Sequence, residues 1–135
     1  MKAQRVLDSM DRNKPAPKYL NLFQIKLPPG GIASIAHRIS GVLMFLAVPF
    51  IAWLFALSLQ NEQGFHAVRT QLASLPGRLV MLVLVWALSH HLLAGLRHLL
   101  LDMEVGIEKS RARASAWVVN VGALLVTALY LWGSL

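Results

Sequence analysis

With 135 residues, 56% hydrophobic and only 14% charged, and a mean hydropathy of +0.57, the chain lies outside the composition of water-soluble domains. It is also too short for a large catalytic domain of its own. The lack of cysteine excludes disulfides, thiolate-bound metal and iron–sulfur ligation by this chain, and the formal charge of +7 does not point to nucleic acid, because the basic residues flank apolar runs, as a membrane surface selects.

Residues 1–30 carry Lys2, Arg5, Asp8, Asp11, Arg12, Lys14, Lys18 and Lys26 with no continuous apolar stretch between them. They do not read as a secretory leader and are expected to form a cytoplasmic N-terminal segment. Residues 31–135 read as a three-helix transmembrane anchor, with spans at about 33–60, 76–103 and 112–134. Ile39 to Leu59 contains no charge, and about 20 residues at ~1.5 Å each cover the roughly 30 Å hydrocarbon core. Pro49 inside this run predicts a kink, not a boundary, because neighbouring helices in a membrane can satisfy the freed carbonyl.

The connection "QNEQGFHAVRTQLASLPG" is polar, punctuated by Gly64 and Pro76, and His66 within it reads as an ordinary loop residue. The second span, Arg78 to Leu101, is uncharged from Leu79 to Leu96. Ala114 to Leu135 is uncharged throughout, with Asn120 its most polar residue. The expected fold is an all-α integral membrane protein, three transmembrane helices of a bundle that a partner subunit completes.

Orientation follows from the basic residues. Lys2, Arg5, Arg12, Lys14, Lys18, Lys26, Arg38, Arg97, Lys109, Arg111 and Arg113 fall on one side, against Arg69 and Arg78 on the other. That asymmetry places the N-terminus and the second connection in the cytoplasm and the C-terminus outside.

Polar groups at membrane depth are costly and invite a functional reading. "SIAHRIS", with Ser34, His37, Arg38 and Ser40, opens the first span. In "SHHLLAGLRHLLLD", His91, Gly95, His98 and Asp102 recur at helical spacing on one stripe, with His90 about 100° away. His91 stands six residues inside Arg97, roughly 9 Å deeper by helical rise. A neutral imidazole suits axial ligation of haem iron, and haem propionates need cations near the polar edge. His91 at depth, with His37, Arg38, Arg97 and His98 nearer the surface and Gly95 clearing a flat face, meets both needs. With no second deep histidine on another span, the opposite ligand would come from a partner. The plainer readings are interhelical contacts for the histidines and Asn120, snorkelling anchors for Arg38 and Arg97, and packing or interfacial roles for Trp53, Trp86, Trp117 and Trp132. A transporter or proton-relay subunit is the alternative from another class; it requires polar residues across the whole bilayer.

"SIAHRISGV" followed by "SHHLLAGLRHLLLD" resembles the large cytochrome b membrane anchor of succinate dehydrogenase, respiratory complex II. Ser34, Ile35, His37, Arg38, Ser40 and Gly41 match that family's first motif, and His91, Gly95, Arg97, His98 and Asp102 its second. With Lys14 and Pro15, the likeness covers about residues 14–135. The resemblance implies that His91 is an axial ligand of haem b and that a smaller anchor subunit supplies the other histidine. It implies that Ser34 and Arg38 line a ubiquinone site beside the iron–sulfur subunit, and that His37, Arg38, Arg97 and His98 lie near the propionates. His90 stays open as an alternative ligand, with the spacing to Gly95 and His98 favouring His91. The flavin and succinate site would belong to a flavoprotein subunit, leaving this chain non-catalytic alone, in the bacterial inner membrane. A fumarate reductase anchor is the alternative within the same class.

Overall fold

The computed structural model describes residues 27–134; the N-terminal cluster of basic residues and the Lys14–Pro15 pair lie outside the described residues. Four helices follow in order: α1 (Pro29–Ser58), α2 (Glu62–Ala73), α3 (Leu75–Asp102) and α4 (Lys109–Gly133), with no strand among the described residues. The helices α1, α3 and α4 are long and apolar enough to cross a membrane. α1 begins where Pro29 occupies the first turn, a position that needs no N–H donor. It continues through Pro49 without ending.

The chain between α1 and α3 departs from the loop expected there, because α2 is a formed helix. Asn61 caps it, its Oδ1 accepting from the Gly64 N–H at 2.7 Å, and Glu62 sits in its first turn, where an acidic side chain favours the dipole. Phe65, Val68 and Leu72 repeat at helical spacing, and Val68 is buried. That stripe was present in the sequence; overall polarity hid it.

α3 packs along both α1 and α4, with less contact between α1 and α4. The seam is built mainly from small residues. On α1 the buried positions are Ala33, Ser40, Ala47 and Leu54, a seven-residue repeat. On α3 they are Ala87, His90 and Ala94, and on α4 Ala116, Val119 and Ala123. In lipid, helices gain little from hiding apolar surface from one another, so close approach over small side chains and interhelical hydrogen bonds hold them together. The outward faces carry the bulky apolar residues, such as Phe45 at 76% exposure and Leu129 at 71%, as a lipid-facing surface requires.

α3 ends in a two-bond terminus: Val105 N–H donates to the Leu100 carbonyl at 2.8 Å and Glu104 N–H to Leu101 at 3.0 Å. Glu104 takes the left-handed conformation (φ 61) that glycine usually fills at this position. The turn brings α4 back antiparallel to α3.

Candidate functional site

The first turns of α1 set Ser34, His37, Arg38 and Gly41 on neighbouring positions of one face. Ser34 is half-buried and Arg38 exposed. Ser40, fully buried, donates its hydroxyl to the His37 carbonyl at 2.8 Å.

His91 of α3 comes to the same place. Its Nδ1 lies 3.2 Å from the His37 carbonyl and 3.4 Å from Ser40 Oγ. A carbonyl can only accept, so Nδ1 carries the proton and Nε2 is left as the basic nitrogen. The imidazole rings of His37 and His91 stack at 4.2 Å with 16° between planes. His98, two turns along α3, meets His37 edge-on at 5.0 Å. His37 of α1 thus rests between two histidines of α3. Gly41 admits the His91 ring: a Cβ there would stand 3.0 Å from Cε1. At Gly95 a Cβ would reach only ordinary contact with His37, at 3.9 Å from Nε2.

His90 has different surroundings. It is 1% exposed, and its Nε2 lies 3.2 Å from Asn120 Oδ1 on α4. Asn120 in turn donates from Nδ2 to the Pro29 carbonyl on α1 at 3.4 Å. That donation fixes Oδ1 towards His90, so His90 carries its proton on Nε2, the opposite tautomer to His91. His90 Nδ1 is buried without a hydrogen-bond partner among the described residues, an arrangement that costs about 1–3 kcal/mol. With one nitrogen bonded to α4 and the other enclosed, His90 offers no open nitrogen to a large ligand. Asn120 is thus the interhelical contact its isolation in span three suggested. Its partner was also findable: His90 precedes the end of α3 at Asp102 by twelve residues, and Asn120 follows the start of α4 at Lys109 by eleven, which sets them level across an antiparallel pair.

Arg97, grouped by sequence with the cations around His98, is bonded to α4. Its Nε donates to Ser115 Oγ at 3.0 Å and Nη2 to the Ala112 carbonyl at 3.2 Å. One residue of helical rotation, about 100°, separates it from the histidine face. His66 lies on α2, exposed, 3.8 Å from Glu62, far along the chain from this cluster. An apolar cleft of about 420 Å³ between α1, α2 and α3, lined by residues including Ile51, Leu54, Val68 and Leu84, sits towards the α2 end. Among the described residues Ser58 is the one side chain lining it that carries a hydroxyl, too little to orient a polar head.

Residues 12–130 match the model of a family described as succinate dehydrogenase/fumarate reductase transmembrane subunit. The chain belongs to this family. Among curated relatives it is 30% identical over 119 residues to the succinate dehydrogenase cytochrome b556 subunit of Paracoccus denitrificans, covering 88% of this chain and 90% of that one. It is 31% identical over 125 residues to the subunit of the same name from Coxiella burnetii, covering 89% and 99%. The subunit from Rickettsia felis is 27% identical over 119 residues, covering 88% and 90%. Membership in the transmembrane-subunit family turns the resemblance carried by two short motifs into one that spans nearly the whole chain. The three membrane-length helices are those of a cytochrome b anchor of the succinate dehydrogenase type.

Proposed function

We propose that this chain is the cytochrome b anchor of a bacterial succinate dehydrogenase, that it binds haem b through His91, and that it forms part of the ubiquinone-reducing site. The observation that carries the reading is the bond from His91 Nδ1 to the His37 carbonyl at 3.2 Å. A second bond of this kind on a ligating histidine fixes its tautomer and orientation, and leaves Nε2 as donor to a metal. The donor set fits haem: the His91 imidazole would hold it here, a smaller anchor subunit would supply a further histidine, and His37, Arg38 and His98 would serve the propionates. Arg97, grouped with these cations by sequence, also ties α3 to α4 through Ser115 and the Ala112 carbonyl. Bound there, haem b supplies a one-electron carrier within the membrane.

At the same end, Ser34 and Arg38 are one turn apart on α1. A hydroxyl and a guanidinium at that spacing hold a quinone carbonyl: Ser34 donates a hydrogen bond to the oxygen, and Arg38 stabilises the negative charge that develops on it. Electrons reach this pocket from an iron–sulfur subunit on the cytoplasmic side, and a flavoprotein subunit oxidises succinate. The names of the relatives favour succinate oxidation over fumarate reduction as the physiological direction. Against a proton relay, Ser89 and Thr127 give their hydroxyls to carbonyls four residues back in their own helices, so they extend no polar chain towards the α2 end. A visible difference spectrum of the complex, with and without His91, tests the reading.

A further inference from the structure

The pair formed by buried His90 and half-buried Asn120 is not used by either half of the proposed site, although His90 directly precedes His91. We infer that His90 is a positioning residue for His91: with Asn120 and the Pro29 carbonyl it fixes the rotation of α3 about its axis, and so holds His91 against α1. The inference rests on the reading of His91 as a haem ligand.

Two adjacent residues of α3 are tied in directions about 100° apart. His91 is bonded to α1 through the His37 carbonyl at 3.2 Å. His90 is bonded to α4 through Asn120 at 3.2 Å. Asn120 closes the circuit by its bond to Pro29 of α1 at 3.4 Å, so the three membrane-length helices meet in one chain of polar contacts. A helix surrounded by small apolar residues, here Ala87 and Ala94 on α3 and Ala116 and Ala123 on α4, has little side-chain relief to resist turning. A rotation of about 20° would carry a ring nitrogen at the helix surface by roughly 2 Å, enough to break either bond. Ligation geometry must be held within about 0.5 Å and 10–20°. The His90 bond therefore restricts the same rotation that His91 cannot tolerate.

The Nδ1 of His90, buried and without a partner among the described residues, separates this role from general interhelical adhesion. A leucine would fill the site without an orphaned acceptor. What the histidine provides is a donor at the Nε2 position, and glutamine can place a donor in nearly the same position while asparagine cannot.

The test uses the assembled complex purified with its partner subunits in mild detergent, in wild type and in His90→Gln, His90→Asn, His90→Leu and Asn120→Leu forms. Its readouts are the ferric haem EPR signal and the rate of haem loss to an apo-globin acceptor. The expected result is a wild-type signal for His90→Gln. His90→Asn, His90→Leu and Asn120→Leu should show a shifted signal and haem loss faster by roughly tenfold, the lower end of what loss of an outer-shell partner produces. Should the leucine forms fail to assemble, the Gln–Asn pair decides, since both keep a polar amide at the site. Assembled variants that all share the wild-type signal and rate overturn the inference while leaving His91 as ligand. A wild-type complex devoid of b-type haem overturns the parent reading, and this one with it.

Discussion

His91 and His37 meet twice: ring against ring at 4.2 Å, and through the His91 Nδ1–H on the His37 main-chain carbonyl at 3.2 Å. The second contact uses backbone, so it survives substitution of the His37 side chain. His37→Ala should therefore retain haem while weakening the propionate end; a faster loss of haem to an acceptor protein, with a near-normal visible spectrum, is the expected outcome. Complete loss of haem would show that the His37 ring matters more than its carbonyl.

Gly41 sets how closely α1 approaches the His91 ring. A Cβ there would lie 3.0 Å from Cε1 and 3.4 Å from Nδ1, so Gly41→Ala should push the ring by a few tenths of an ångström and lengthen its bond to the carbonyl. Haem content in the purified complex should fall. Gly133, whose added Cβ meets nothing among the described residues within 4 Å, supplies the control, and Gly133→Ala should match wild type.

How much of this was readable in the sequence depends on the kind of contact. The three long helices were, because uninterrupted apolar runs such as Ile39–Leu59 have no soluble alternative of that length. The shared stripe of His91 and His98 was too, since spacing within one helix fixes which residues share a face. The meeting of His37 with that stripe was not, because periodicity does not say which faces of two helices pack. Arg97 shows the same limit: its one-residue offset from His98 was visible, but only the position of Ser115 and Ala112 on α4 determines where its guanidinium goes. In α2, the Asn61 cap and the Phe65–Val68–Leu72 stripe were local signals overlooked beside the polar composition.

Arg97 ties α3 to α4 by two hydrogen bonds from one guanidinium. Bonds to charged groups contribute about 1.5–3 kcal/mol each when well sheltered; half-burial places these towards the lower figure. Arg97→Ala should lower the thermal stability of the complex by several degrees. Arg97→Lys should recover only part of it, because a single ammonium does not reproduce the planar fork. Differential scanning fluorimetry in detergent reads this directly. A wild-type melting temperature in Arg97→Ala would count against the tie.

Ser34 is assigned to quinone, and Arg38 both to quinone and to the propionate end of the haem. Arg38→Ala should reduce succinate–quinone reductase activity about tenfold or more, as loss of a charged hydrogen bond implies. Succinate oxidation by an artificial acceptor that draws electrons before the membrane should be unchanged. Ser34→Ala should act in the same direction and more weakly. Quinone reduction at the wild-type rate in Arg38→Ala would remove it from the pocket.

The reading of His91 as haem ligand is tested most directly by the dithionite-reduced-minus-oxidised visible spectrum of the purified complex, recorded for wild type, His91→Ala and His66→Ala. A sharp b-type α-band is expected in wild type and in His66→Ala, whose histidine is exposed on α2 beside Glu62, and should collapse in His91→Ala. An undiminished band in assembled His91→Ala, or no band in the wild-type complex, would contradict it.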